Sequence, residues 1–213
     1  MRLYYDTVRL IVAGGPSAAY RVRMEGRDRL PAYGGYVLAP SHRSMMDIPL
    51  SAWLSPRRLR YMGKASLFRI PVAGAFFRSL GGFEVARDGT DRKALRDAMA
   101  MLQSGDVLLV YPEGTRQHGP KIQSLQPGAA YLALRAGVPI VPVGLAGTEE
   151  IMRSHRIKVP RFGRVVMVVG EPIVSPPRAG GVVPRDQVDA LTARLHDALQ
   201  VVFDKANELR ECG

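Results

Sequence analysis

An α/β fold, one domain with a mostly parallel central sheet flanked by helices, is predicted for these 213 residues by three observations. Continuous apolar runs at 36–39, 107–111 and 138–144 have the length and composition of strands buried on both faces. Between them lie stretches with apolar residues at helical spacing, notably 91–103 and 125–136. Turn residues follow the runs and separate the two kinds of segment. Strands that alternate with helices return the chain to the same edge of the sheet, which is what parallel pairing needs. The length suits a single core, with an N-terminal amphipathic helix over 1–25 and the main domain over 26–213.

The chain opens with Met1, Tyr4, Tyr5, Val8, Ile11 and Val12 at helical spacing, and with Arg2, Asp6 and Arg9 on the other side. This segment is too short and too charged to span a bilayer and has no small-residue cleavage pattern, so neither a transmembrane helix nor a signal peptide is expected. It either docks on the core or lies in a membrane interface with its tyrosines at headgroup depth. Residues 21–29 and 31–35 are polar and turn-rich, and the strand at 36–39 follows.

Directly after that strand stands Ser41-His42-Arg43-Ser44-Met45-Met46-Asp47-Ile48-Pro49. Residues five apart on a helix point roughly 140° away from each other, so His42 and Asp47 meet only if they straddle a loop-to-helix junction. Pro49 is compatible with the first turn of such a helix. A carboxylate bonded to one ring nitrogen fixes the tautomer and turns the other nitrogen into an acceptor, the arrangement of a general base with its orienter. The plainer reading makes Ser41 and Asp47 caps and His42 a loop histidine. Met45 and Met46 are expected to face the core.

A short helix closes at 51–58, and a strand at 59–62 ends near Lys64. Residues 67–80 are rich in Phe and read either as a buried helix kinked at Pro71 or as the wall of an acyl-chain groove or membrane-facing surface. Residues 81–87 form a strand that delivers Arg87, and a surface helix follows at 91–103. The strand at 107–111 empties into Pro112-Glu113-Gly114-Thr115-Arg116, a turn holding an acid, a hydroxyl and a guanidinium. The prolines at 139 and 142 mark the next strand as one whose ladder is interrupted or flanks a cavity. A basic loop at 153–164, a strand at 165–169 and a proline-containing linker at 176–184 lead to a closing helix. Its buried stripe is Val188, Leu191, Leu195, Leu199, Val202 and Leu209, with His196 on the solvent side.

The net charge of +11 implies an anionic partner, and only five of the 30 basic residues are lysines; the planar fork of arginine suits phosphate. The basic residues are dispersed and not interleaved with aromatics, which argues against specific nucleic-acid binding. With Cys212 the single cysteine and four scattered histidines, neither a disulfide nor a metal site is expected.

These blocks resemble, in order, those of the 1-acylglycerol-3-phosphate O-acyltransferase family, the PlsC-like glycerolipid acyltransferases. His42 to Asp47 matches H-x-x-x-x-D, residues 82–87 are similar to the second block, residues 111–116 to F-P-E-G-T-R, and residues 138–143 to the fourth. The resemblance runs from 26 to 173 and includes Lys64 and the Gly170-Glu171-Pro172 ending. It implies acyl transfer from acyl-CoA or acyl carrier protein to a lysophospholipid hydroxyl, with no bound cofactor or metal. His42 would be the base and Asp47 its support. Lys64, Arg87 and Arg116 would hold the acceptor phosphate in a pocket shaped by Glu113, Gly114 and Thr115, and amides near 141–143 would receive the oxyanion. A peripheral place on the cytoplasmic face of a membrane is the matching expectation. Tyr111 stands for the usual Phe, Ser41 for a common Asn, and Gln126 for a common Lys, which leaves the pocket less basic and admits a different lysophospholipid or glycolipid acceptor.

Overall fold

The computed structural model describes residues 2–64, 68–85, 92–152, 163–175 and 182–212. Its strands are β1 (Arg23–Glu25), β2 (Tyr36–Pro40), β3 (Leu59–Lys64), β4 (Gly82–Val85), β5 (Val107–Leu109), β6 (Ile140–Ala146) and β7 (Val166–Val169). They form one sheet in the order β1-β7-β6-β2-β5-β3-β4. Every pairing is parallel except β6 with β7. This is the mostly parallel α/β architecture that the alternating segments predict.

The parallel block β6-β2-β5-β3-β4 has a direct consequence for function, because its strands all exit at one end of the sheet. His42, Lys64 and Glu113 lie just beyond, or at the end of, neighbouring strands. β2 is wholly buried, the Tyr36 hydroxyl being its one polar side-chain group, and it packs between two apolar layers. On one side lie α5 (Arg92–Gln103), α6 (Gly128–Ala136) and α8 (Arg185–Glu211). On the other lie α3 (Asp47–Leu54) and the N-terminal helical segment. α8 presses so closely on β6 that a Cβ at Gly144 would stand 2.2 Å from the Val202 carbonyl oxygen, so glycine is required there.

The N-terminal segment runs as α1 (Arg2–Arg9), a π-helical turn (Leu10–Gly14) and α2 (Gly15–Ala19). The π turn shifts the helical phase. As a result Tyr5 and Ala13 are buried while Leu10, Ile11 and Val12 face outward, which splits the single apolar stripe expected from the sequence. Arg9, expected on the polar side, turns inward and donates to the carbonyls of Ala52, Trp53 and Ser55, the open C-terminal end of α3. Residues 23–25, within the turn-rich stretch, pair with β7 as an edge strand.

α4 (Pro71–Ser79) begins at its proline, so Pro71 starts the helix instead of kinking it. In β6, Pro142 falls between the Ile140–Ile173 bridge and the ladder that starts at Val143–Val169, so the ladder is interrupted on that side only, while pairing with β2 runs unbroken through Pro142. α7 (Thr148–Ile151) follows. His196 is half-buried, its Nε2 3.2 Å from the Ile122 carbonyl, because residues 117–127 fold over α8 and cover the face the helical pattern leaves to solvent. Most of the basic loop (153–162) and of the linker (176–181) lies outside the described residues.

Candidate active site

The loop between β2 and α3 carries His42, and Asp47 is the first residue of α3. The junction therefore does what a continuous helix could not: His42 Nδ1 lies 2.9 Å from Asp47 Oδ2. The same oxygen accepts the Arg43 and Ser44 amides, each at 2.6 Å. Asp47 is fully buried, and its Oδ2 already accepts two backbone amides, so it meets the ring as an acceptor with Nδ1 as the donor, which leaves Nε2 as the acceptor of the ring.

Both ends of the histidine backbone are also held. Its amide donates to Glu113 Oε1 at 2.9 Å, and its carbonyl accepts the Gln117 amide at 2.9 Å. The imidazole stacks on Tyr111, with centroids 4.0 Å apart and planes 20° from parallel. Burial, and after it the Asp47 carboxylate, pushes the Tyr111 phenol well above its ordinary pKa, with partial relief from Ser51, so this ring stays neutral. Ser41 supplies the anchor one residue earlier, donating its amide to Val143 and accepting the Leu145 amide on Oγ at 3.0 Å. A serine thus fastens the loop to β6.

A cavity of about 360 Å³ opens in front of His42, lined by Tyr111, Gly114 and Arg116 on one side and by Met45, Tyr61 and Phe68 among others. Gly114 turns the chain with φ +72°, a conformation that L side chains rarely adopt. Gln126 packs against this turn, since a Cβ at Gly114 would touch its Cγ at 3.0 Å. Thr115 is exposed and does not line the cavity. Glu113 is turned away from it, 3% exposed, with Oε2 3.4 Å from the Arg43 guanidinium and 3.3 Å from the Gln123 amide. Its carboxylate contributes by holding the loop and not by meeting an anion, which a buried negative charge would repel. Lys64 ends β3 in register with Val85, the last residue of β4, and Arg87 lies outside the described residues. The stretch 141–143 runs between β2 and β7 with Val141 and Val143 fully buried, so it belongs to the sheet and not to the cavity wall.

A second cavity, of about 220 Å³ and almost wholly apolar, shares Met45, Ile48, Tyr61, Phe77 and Leu109 with the first. Tyr5, Val8 and Val12 of the N-terminal segment, Ala52 of α3, Phe76 of α4 and Leu80 just after it also line it. Met45, expected in the core, is half-exposed and stands in the wall of both cavities, because the loop turns it outward while Met46 packs inward. Sequence reasoning also passed over Arg43. It occupies an unspecified position of H-x-x-x-x-D, and in an arginine-rich chain nothing distinguishes the one guanidinium here that is 2% exposed. No group of three or more metal-ligating side chains occurs among the described residues.

The family model described as Acyltransferase matches residues 21–146. The chain is 25% identical over 189 residues to a 1-acyl-sn-glycerol-3-phosphate acyltransferase of Bacillus subtilis, covering 88% of this chain and 91% of that one. It is 34% identical over 155 residues to a protein of that description from Chlamydomonas reinhardtii, covering 70% of this chain and 46% of the other, so it spans less than half of the algal protein. The crystal structure of the 1-acyl-sn-glycerophosphate (LPA) acyltransferase PlsC from Thermotoga maritima superposes with a TM-score of 0.69 at 25% identity, covering 96% of this chain and 82% of that one.

Proposed function

The chain belongs to the acyltransferase family, and on that premise we propose that it transfers a fatty acyl group from an acyl thioester to the free hydroxyl of lysophosphatidic acid in phospholipid synthesis. The observation that carries this reading is the 2.9 Å His42–Asp47 bond at the wall of a cavity that Arg116 also lines. Nε2 of His42 takes the proton of the acceptor hydroxyl as its oxygen attacks the thioester carbonyl. Asp47 supports the imidazolium that forms. Collapse of the tetrahedral intermediate breaks the carbon–sulfur bond, and the imidazolium returns the proton to the departing thiolate. The products are an ester and a free thiol. No metal or cofactor enters the scheme, because the thioester is already the activated reactant. No acyl-serine is needed, since the acceptor supplies the nucleophile.

Arg116, with Lys64 at the end of β3 and with Arg87, holds the acceptor phosphate, for which a guanidinium offers paired donors. Gly114 gives the turn its shape, Glu113 fixes it from within, and Thr115 borders it. The apolar cavity beside Met45 and Tyr61 takes a fatty chain. The donor is acyl-CoA or acyl carrier protein.

The outward residues Leu10, Ile11 and Val72 flank the helices that wall this cavity, and Val72 is 83% exposed. This apolar surface on a chain of net charge +11 fits peripheral attachment to an anionic membrane, on the cytoplasmic face. Among the described residues no helix is long and apolar enough to cross a membrane. Replacing Leu10 and Ile11 with serine should lower flotation with anionic liposomes while the fold persists; unchanged flotation would remove this part of the reading.

A second acceptor class, a lysophospholipid with a phosphodiester head or a glycolipid, is favoured by the neutral Gln126 packed against Gly114. The decisive experiment offers acyl-CoA and acyl carrier protein thioesters to a panel of lysolipids and identifies products by mass spectrometry. Phosphatidic acid as the main product supports the first reading, a phosphodiester product the second. Release of free fatty acid indifferent to lysolipid would replace both with a thioesterase.

A further inference from the structure

Asp47 orients the ring of His42, but the height and tilt of that ring depend on the backbone beneath it, and this backbone hangs from Glu113. Glu113 is a buried carboxylate, and such a charge keeps its place only with a partner. The partner comes from the loop itself. The Arg43 side chain is 1% exposed, with Nη1 3.4 Å from Glu113 Oε2, an ion pair by distance whose alignment falls short of a hydrogen bond. Nη2 donates to the Lys121 carbonyl at 3.0 Å, and the guanidinium lies over the Phe203 ring of α8, 4.7 Å from its centroid. One side chain therefore ties the catalytic loop to the turn after β5, to the 117–127 segment and to the closing helix.

We propose that Arg43 is a positioning residue: acting through Glu113, it sets the backbone of the His42 loop and so couples α8 to proton transfer. The inference rests on the reading of His42 as the base. Arg43 does not line the cavity in front of His42, so it has no route to the acceptor phosphate. It lines instead a separate cavity of about 610 Å³ bounded by Phe203, Asn207 and Gly147. Without the guanidinium, the buried Glu113 carboxylate would face only amides and would swing toward water, which releases the His42 amide. A displacement of about 1 Å at a reacting group is worth on the order of 10²-fold in rate. A lysine at 43 would keep the charge but lose the planar fork that reaches three partners together.

The test uses Arg43→Ala, Arg43→Lys, Phe203→Leu and His42→Ala in the full chain, with folding checked by circular dichroism and thermal melting. In folded Arg43→Ala, kcat should fall about 10- to 100-fold with KM for lysophosphatidic acid within about twofold of wild type. Millimolar methylguanidinium, entering through the α8-side cavity, should restore part of that loss but do nothing for His42→Ala. Arg43→Lys should recover less than half of the kcat. Wild-type kcat in folded Arg43→Ala, or a loss carried by KM, would overturn the proposal. If Arg43→Ala does not fold, Phe203→Leu decides: a several-fold lower kcat at unchanged KM supports the coupling to α8, and wild-type kcat overturns it. Full activity in His42→Ala would instead bring down the base assignment itself, so the two failures are distinct.

Discussion

The two cavities that meet at Met45 and Tyr61 are built by opposite means. The His42 side of the first is held from behind by buried polar groups: Asp47 Oδ2 meets three donors, Ser41 bonds to β6, and Glu113 accepts the His42 and Gln123 amides. The other is framed by helices that touch through alkyl and aromatic surfaces, and several neighbouring apolar side chains remain outside. Hydrogen bonds in a dry interior are directional, so the first region holds one geometry. Apolar contact is not directional, so the second tolerates variation in what fills it. Chemistry that needs sub-ångström placement and a substrate with an adaptable alkyl chain would use these two kinds of wall.

Substitutions in the two regions should therefore differ in size and in kind. The largest effect is expected at the base: His42→Ala should lower kcat by roughly 10²- to 10⁴-fold while acceptor binding is kept, read by steady-state kinetics. Arg116→Ala should act on affinity, raising KM for lysophosphatidic acid about 10- to 100-fold, the usual worth of a charge-assisted contact. An equal fall in kcat with KM unchanged would place Arg116 in the chemical step instead.

In the apolar cavity, Ala52→Leu adds three carbons to the wall and should shift preference toward shorter acyl chains, by about fourfold for each methylene displaced. Competition between thioesters of two lengths measures this, and an unchanged ratio would separate that cavity from the acyl chain. Tyr111→Phe should change activity least, about twofold or less, because the stacked ring stays and only a 3.4 Å contact with Ser51 is lost. Its signature is in stability. A phenol whose folded pKa is raised contributes no penalty below the unfolded value of about 10, and stability declines as pH rises through it. Tyr36 and Tyr61 are raised in the same direction by burial, so the wild type should lose stability above about pH 10, and Tyr111→Phe should lose it less steeply in urea titrations.

Much of the site could be read before any coordinates, because its parts sit at strand exits. Apolar runs locate the strands, and the residues that follow each run must gather at one end of a parallel sheet. His42 and Asp47 were legible for a further reason: a spacing of five fails on a helix and works across a junction. The same local arithmetic went astray at the N-terminal segment, where the π turn at Leu10–Gly14 moves the apolar face partway along the helix. It also misjudged Met45 and His196, whose surroundings come from remote parts of the chain.

The sequence by itself determined the strand–helix alternation, the order of the motif blocks and the resemblance they carry. These are properties of neighbours along the chain, fixed by period and spacing. Only the tertiary structure decided that Glu113 faces inward, that Arg43 is the one fully buried arginine among the described residues, and that Met45 joins two cavities. The physical reason is common to all three: burial and charge pairing depend on groups brought together from β2, the turn after β5 and α8, which lie up to 160 positions apart between Arg43 and Phe203.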